Sequence, residues 1–292
     1  MTTYTSMIGI IMMLLSASTL STEERRADPT FLRRHLGDLV EKASDMTTPT
    51  CHYKPIFGAG DSDARVLRGI ARFGEAVIDP QGASAIVSYP SEEQVYVILE
   101  GSAILRYGEE KVPVRKSDFM YLPPGISHGI SNPSNESCRV IVMGFRLPAS
   151  EKVNPTPKLL LANIEDVKKE VVAGHPPTTL YQLLMGDTQS KRDQLAAAHA
   201  LTSLFVMEFA PGGTNFPHHH EREEEIYLVL NGFGEMVAGG GMDGIEGKHP
   251  AKAGDAYFFR LNCTVGFYAG NKPGEEKARI LAVRSLFPMN YR

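Results

Sequence analysis

The 292-residue chain has no excess of positive charge: 30 Lys and Arg stand against 34 Asp and Glu, for a net charge of −4. A protein that neutralises a phosphate backbone needs a basic face, and no helix-turn-helix pattern precedes the β-like segments, which argues against nucleic acid as a partner. The chain also lacks a run of the roughly 20 apolar residues that a membrane-spanning helix requires. Cysteine is scarce. Cys51, Cys138 and Cys263 are odd in number and form no CxxC pair, so they carry no paired-thiol motif and do not fix the redox compartment. Export would permit one disulfide, with Cys51 and Cys138 as the pair because both lie in the N-terminal half; free buried thiols are the equal alternative. What remains is 42% hydrophobic and 22% charged, a globular balance in a chain long enough for two domains of about 100–150 residues.

The opening "MTTYTSMIGIIMMLLSASTL" has an apolar run from Met7 to Leu15 followed by small residues Ser16, Ala17 and Ser18. Residues 1–20 therefore read as a signal peptide and the protein as secreted or periplasmic, although no Lys or Arg precedes the run; a buried N-terminal helix is the alternative. Next, Asp28 stands as an N-cap, Pro29 at the first helical position, and Leu32, Leu36, Leu39 and Val40 along one face. That spacing predicts a short amphipathic helix within an arm over 21–66. Beyond it, short apolar runs punctuated by Gly, Pro, Asn and Asp predict an all-β sandwich or barrel.

The chain repeats itself. "DPQGASAIVSYPSEEQVYVILEG" (Asp79–Gly101) parallels "APGGTNFPHHHEREEEIYLVLNG" (Ala210–Gly232) at an offset of 131, and "VPVRKSDFMYLPPG" (Val112–Gly125) parallels "HPAKAGDAYFFRLN" (His249–Asn262) at 137. The six extra residues fall in the glycine-rich "GGGMDGIEG", which reads as a longer hairpin loop. Two copies of one β unit, over 67–147 and 199–292, are thus joined by a segment over 148–198. Within that segment Asn163 is placed to cap a helix over Ile164–Val172, and "LYQLLMG" (Leu180–Gly186) to add a strand to a sheet.

In the second copy His218 and His220 are two residues apart, so on a strand both imidazoles face the same side. A turn over Glu221–Glu223 then returns the chain with Glu225, Tyr227 and Val229 alternating inward. Two imidazoles and one carboxylate converge, a set suited to Mn, Fe or Zn with coordination positions left open. His219 faces away, as a bystander or a group steadying a ligand; Glu224 is the alternative carboxylate if the turn is one residue shorter. A solvated charged hairpin is the reading without a metal.

These residues resemble the cupin superfamily. Gly212, His218, His220, Glu225 and Gly232 match its first motif, and Ser117, Pro123, Gly125, His128 and Asn132 match its second except for Ser in place of the leading Gly. The chain resembles a bicupin, which implies two tandem jelly-roll barrels. The family's metal is held by two His and a Glu of the first motif with a His of the second. Neither copy has all four. In the second copy Val265 stands where the first has His128, with Asn262, Cys263, Tyr268, water or substrate as candidates for the vacant position. In the first copy Val87, Tyr89 and Gln94 replace the other three donors, so it is expected to be metal-free, with Tyr89, Gln94 and His128 as a remnant pocket or a structural core.

One divalent ion per chain is therefore expected, in an enzyme that acts on a small polar or carboxylate-bearing metabolite by hydrolase- or oxygenase-like chemistry. The arrangement is similar to ureidoglycine aminohydrolases, but the Gln that their metal set takes from the second motif has no counterpart near Val265. Oxalate-decarboxylase-like and quercetinase-like bicupins are further candidates. The non-enzymatic alternative is a cupin that binds or stores a sugar or other metabolite. A homodimer is the expectation from fold analogy.

Overall fold

The computed structural model describes residues 28–240, 246–272 and 276–288; the expected signal peptide and the tip of the glycine-rich hairpin lie outside the described residues. The first copy contains β2 (Cys51–Gly58), β3 (Ile70–Ile78), β4 (Glu92–Glu100), β5 (Ser102–Tyr107), β6 (Glu110–Arg115), β7 (Asp118–Leu122), β8 (His128–Ser131) and β9 (Cys138–Arg146), preceded by β1 (Phe31–His35). The second contains β12 (Thr179–Asp187), β13 (Leu195–Ala198), β14 (Leu201–Phe209), β15 (Glu223–Asn231), β16 (Phe233–Gly239), β17 (Glu246–Lys252), β18 (Asp255–Phe259), β19 (Thr264–Ala269) and β20 (Arg279–Leu286). Two short strands, β10 (Leu160–Asn163) and β11 (Lys169–Glu170), lie between them. Each copy folds a large sheet over a three-stranded one, in the orders β10-β7-β4-β9-β3-β2 over β6-β5-β8, and β1-β18-β15-β20-β14-β12-β11 over β17-β16-β19. These are two double-sheet jelly rolls.

The copies correspond strand for strand. β3 and β4 recur as β14 and β15, 131 residues on, and β7 and β8 as β18 and β19, 137 residues on. The structure extends the repeat upstream: Cys51–Gly58 recurs as Thr179–Gly186, which places the expected strand over Leu180–Gly186 against β14. The edge strands are exchanged. β1 pairs with β18 of the second barrel, and β10 pairs with β7 of the first.

Two expected helices are not formed. The stretch after Pro29 is a strand ending in a single 3-10 turn over Leu36–Asp38, because pairing with β18 satisfies its backbone and buries Leu32 between the barrels, while Val40 stays 69% exposed. In the connecting segment Asn163 does cap, its side chain accepting from the Glu165 amide, yet only one 3-10 turn over Ile164–Asp166 follows before β11. A helix of nine residues has little stability of its own, and a sheet edge outcompetes it.

Strand alternation sorts three cores. On β4 and β15, Tyr96, Ile98, Tyr227 and Val229 fill their own barrels, while Val95, Val97, Ile226 and Leu228 enter a shared core between the barrels. The same alternation builds two reciprocal clamps. Glu93 reaches out of the first barrel to accept the amides of His199, Ala200 and Leu201 at 2.8, 2.9 and 2.7 Å, and Glu224 reaches out of the second to accept those of Arg68, Gly69 and Ile70 at 2.7, 2.8 and 3.1 Å. Both side chains are fully buried. Burial pushes both carboxyls up, and the amide donors oppose that rise.

Cys51 and Cys138 are free buried thiols, raised by burial to about 11. They flank Ile78 on opposite neighbouring strands, two strand spacings or about 10 Å apart, beyond the reach of a disulfide. Among the described residues no helix is long and apolar enough to cross a membrane.

Candidate metal centre

The hairpin entering β15 brings His218, His220 and Glu225 together, with one donor atom from each lying within 4.8 Å of the others. His218 is fixed by a two-way backbone bridge to Val265, at 2.9 and 2.8 Å, and by its Nδ1 against the Phe216 carbonyl at 2.8 Å. That bond leaves Nε2 of His218 for a ligand. His220 Nε2 and Glu225 Oε2 are 3.3 Å apart, and both are buried without a hydrogen-bond partner. Orphaned buried donors of this kind are what a cation would satisfy, so the residues present fit a divalent ion. Burial pushes the His218 imidazole below its usual value, which keeps it in the neutral form that a metal needs.

Around this set lies a cavity of about 90 Å³. Its wall includes Tyr181 from β12, His175 from the turn before it, and Arg284 from β20, none of which the motif spacing disclosed. Tyr181 OH and Arg284 Nε are buried and unpartnered, with Arg284 Nε 4.0 Å from Glu225 Oε1 and its Nη1 on Glu223 at 3.3 Å. His175 holds the Asn215 carbonyl through Nδ1 at 2.9 Å and meets the His218 ring at 5.5 Å. The one available signal was the upstream extension of the repeat, which aligns Tyr181 with Tyr53.

The remaining candidates separate cleanly. His219 is exposed, and Tyr227 lines the cavity while its hydroxyl accepts from Asn215 Nδ2 at 3.0 Å. Glu224 is not an alternative ligand, because strand alternation turns it to the opposite face, where it clamps the other barrel. Cys263 is buried in the barrel core, with its Sγ against the Gly239 amide and the Thr264 carbonyl. Tyr268 sits under the Lys248 ammonium at 4.5 Å, and Asn262 takes a left-handed turn with φ 58°. Neither Cys263 nor Tyr268 lines the cavity, and Asn262 does not line it either.

In the first barrel the bridge between Val87 and His128 reproduces that between His218 and Val265, confirming the alignment across the insert. His128 is fully satisfied: Nδ1 meets the Ile126 carbonyl at 2.9 Å and Nε2 the Tyr96 hydroxyl at 3.1 Å. Burial lowers its pKa. Tyr89 receives Arg72 Nη1 at 2.9 Å and Gln94 donates to Glu92 at 2.8 Å. Arg72 also pairs with Glu92 at 3.2 Å and Asp45 at 3.2 Å, so a guanidinium stands beside the remnant pocket.

A double jelly roll with one clustered donor set among the described residues defines the class as a bicupin with a candidate metal centre. The chain belongs to the cupin domain family, whose pattern it matches over residues 74–144 and 205–284. An uncharacterized protein of Methanocaldococcus jannaschii, MJ1618, is 27% identical over 81 residues, 27% of this chain, and the match spans 65% of that relative's length. A Pseudomonas aeruginosa protein whose name associates it with glyoxylate induction shares the fold with a TM-score of 0.66 at 20% identity, covering 89% of this chain and 90% of that one. The oxalate decarboxylase of Lactobacillus farciminis, in complex with formate, follows at 0.64 and 13%, covering 87% and 86%.

Proposed function

We propose that the C-terminal barrel holds one divalent ion, Mn, Fe or Zn, on His218, His220 and Glu225, and that the protein is a metal-dependent enzyme acting on a small carboxylate-bearing metabolite. The observation that carries this reading is the pair of orphaned buried donors, His220 Nε2 and Glu225 Oε2, inside a three-residue cluster. An ion there supplies a Lewis acid that polarises a substrate oxygen. The chain's own groups select the substrate. Tyr181 OH and the Arg284 Nε–H are donors in the wall, and Tyr181, its phenol raised by burial, stays protonated. They suit a ligand that presents oxygen acceptors. A cavity of about 90 Å³ limits the enclosed part of that ligand to about three water-sized groups.

Elemental analysis of protein purified without chelators tests the reading, with one ion per chain expected; a metal-free preparation that also fails to take up added Mn, Fe or Zn would overturn it. Turnover of short carboxylates by the loaded protein separates an enzyme from a binding or storage cupin, the second reading, which the loss of donors in the first barrel favours. Export belongs to the proposal on the pattern of residues 1–20, and the mature N-terminus checks it. Pairing into a homodimer is checked by sedimentation.

A further inference from the structure

The two barrels meet over a second cleft, of about 240 Å³, where corresponding ends of β4 and β15 face each other. Its lining is mixed: Val97 and Leu99 from one copy and Leu228 and Leu230 from the other supply an apolar side, while Glu100, Lys116, Arg139, Asn231 and Arg279 supply a polar one, with Glu100 held by Arg139. Two arginines occupy corresponding places at the starts of β9 and β20, and their surroundings differ. Arg139 pairs with Glu75 at 2.6 Å and with Glu100 across the ladder at 3.1 Å. At the equivalent places around Arg279 stand Val206 and Asn231. Glu208, directly across the ladder from Arg279, is taken by Lys169 at 2.6 Å and Lys277 at 2.8 Å. Arg279 makes no ion pair among the described residues, and its Nε is buried without a hydrogen-bond partner. Lys116, on the same cleft, is exposed and also unpaired among the described residues.

An unneutralised, half-buried guanidinium beside leucine side chains is costly unless an anion comes to it. We infer that the cleft between the barrels binds an amphiphilic carboxylate, its headgroup on Arg279 with Lys116 nearby and its short alkyl tail along Leu99, Leu228 and Leu230. The volume admits about eight water-sized groups, the size of a six-carbon acid. Arg139 does not compete for the headgroup, since its own two carboxylates hold it. This site is separate from the metal centre and stands whether or not that centre is loaded.

The test is calorimetric titration of the full chain with hexanoate. A Kd on the order of 1 mM is expected for a ligand of eight heavy atoms, with acetate and hexanol each at least about tenfold weaker because each lacks one half of the recognition. Arg279→Met should weaken hexanoate at least about tenfold, and Leu230→Trp, which fills the cleft and keeps the charge, should do the same; unchanged melting shows that each variant is folded. His220→Ala should leave binding intact. No saturation by about 10 mM hexanoate would overturn the inference, as would binding that survives both cleft variants or is lost in His220→Ala.

Discussion

The two barrels share a backbone and differ in what they put inside it. The register that faces Arg72 with Gly144 in the first barrel faces Ser203 with Arg284 in the second, so an arginine has changed strands across one ladder. In the first barrel it stands beside Tyr89 and Glu92, and a Cβ on Gly144 would lie 2.5 Å from the Gln94 amide nitrogen. In the second it lies beside Glu223 and Glu225, leaving His220 and Glu225 with bare donor atoms. The fold supplies the place; a few side chains decide whether it holds an internal cation or has room for one from outside.

The comparison breaks most severely where the copies agree. Glu224→Ala orphans the buried amides of Gly69 and Ile70 and the half-buried amide of Arg68 and should cost about 3 kcal/mol or more, and Glu93→Ala should cost at least as much, since Glu93 also receives the Tyr121 hydroxyl. Urea denaturation measures both. A large loss for one and none for the other would show that the clamps are not equivalent.

Where the copies differ, the effects should divide. His220→Ala should weaken metal binding about 100-fold or more, whereas His128→Ala, which lies in the other barrel with its ring nitrogens on Tyr96 and Ile126, should leave it unchanged. A competition titration with a metal-binding dye reads the difference. Val265→His transplants the first barrel's imidazole to the matching end of the bridge and should tighten metal by about tenfold, while lowering turnover if substrate needs that open position. Unchanged affinity in a folded variant would mean that β19 does not approach the ion.

The smallest expected effect is on pH. Burial holds the His128 pKa below its unfolded value of about 6.5. Between those two values the unfolded chain binds the extra proton, so the stabilising contribution is full above about 6.5 and is lost as pH falls below it. Denaturation midpoints at pH 7.5 and 5.5 should show a shallower loss in His128→Gln than in the parent. The same direction at His218 means that proton competition at that ligand begins lower than for a free imidazole.

Much of this was legible in the sequence because it is written locally. The 131-residue offset located the barrels, and the two-residue spacing of His218 and His220 with Glu225 beyond a turn located the donor set. The rest depends on partners remote in the chain. Phe31–His35 is a strand because Phe259 and its neighbours lie across from it, and periodicity within 13 residues carries no trace of that. Tyr181 and Arg284 reach the cavity from strands outside either motif, and Glu224 could be separated from Glu225 only once the alternation of β15 was anchored by both cores.

The clamps carry one more consequence. Glu93 of the first copy grips the start of β14 as Glu224 of the second grips the start of β3, and β1 and β10 cross over in the same reciprocal way. When residue i of one body holds j of the other and j's body returns the grip, the contact is isologous, the arrangement of two identical subunits about a two-fold axis. The covalent connection through residues 148–159 then acts as a tether that supplies effective concentration, held down where Glu151 meets His199 and where the Thr156 carbonyl accepts the Tyr107 hydroxyl. A chain built this way is a pair of like subunits joined into one molecule, and the joining lets the two copies differ, the second carrying His218, His220 and Glu225 and the first carrying His128 alone.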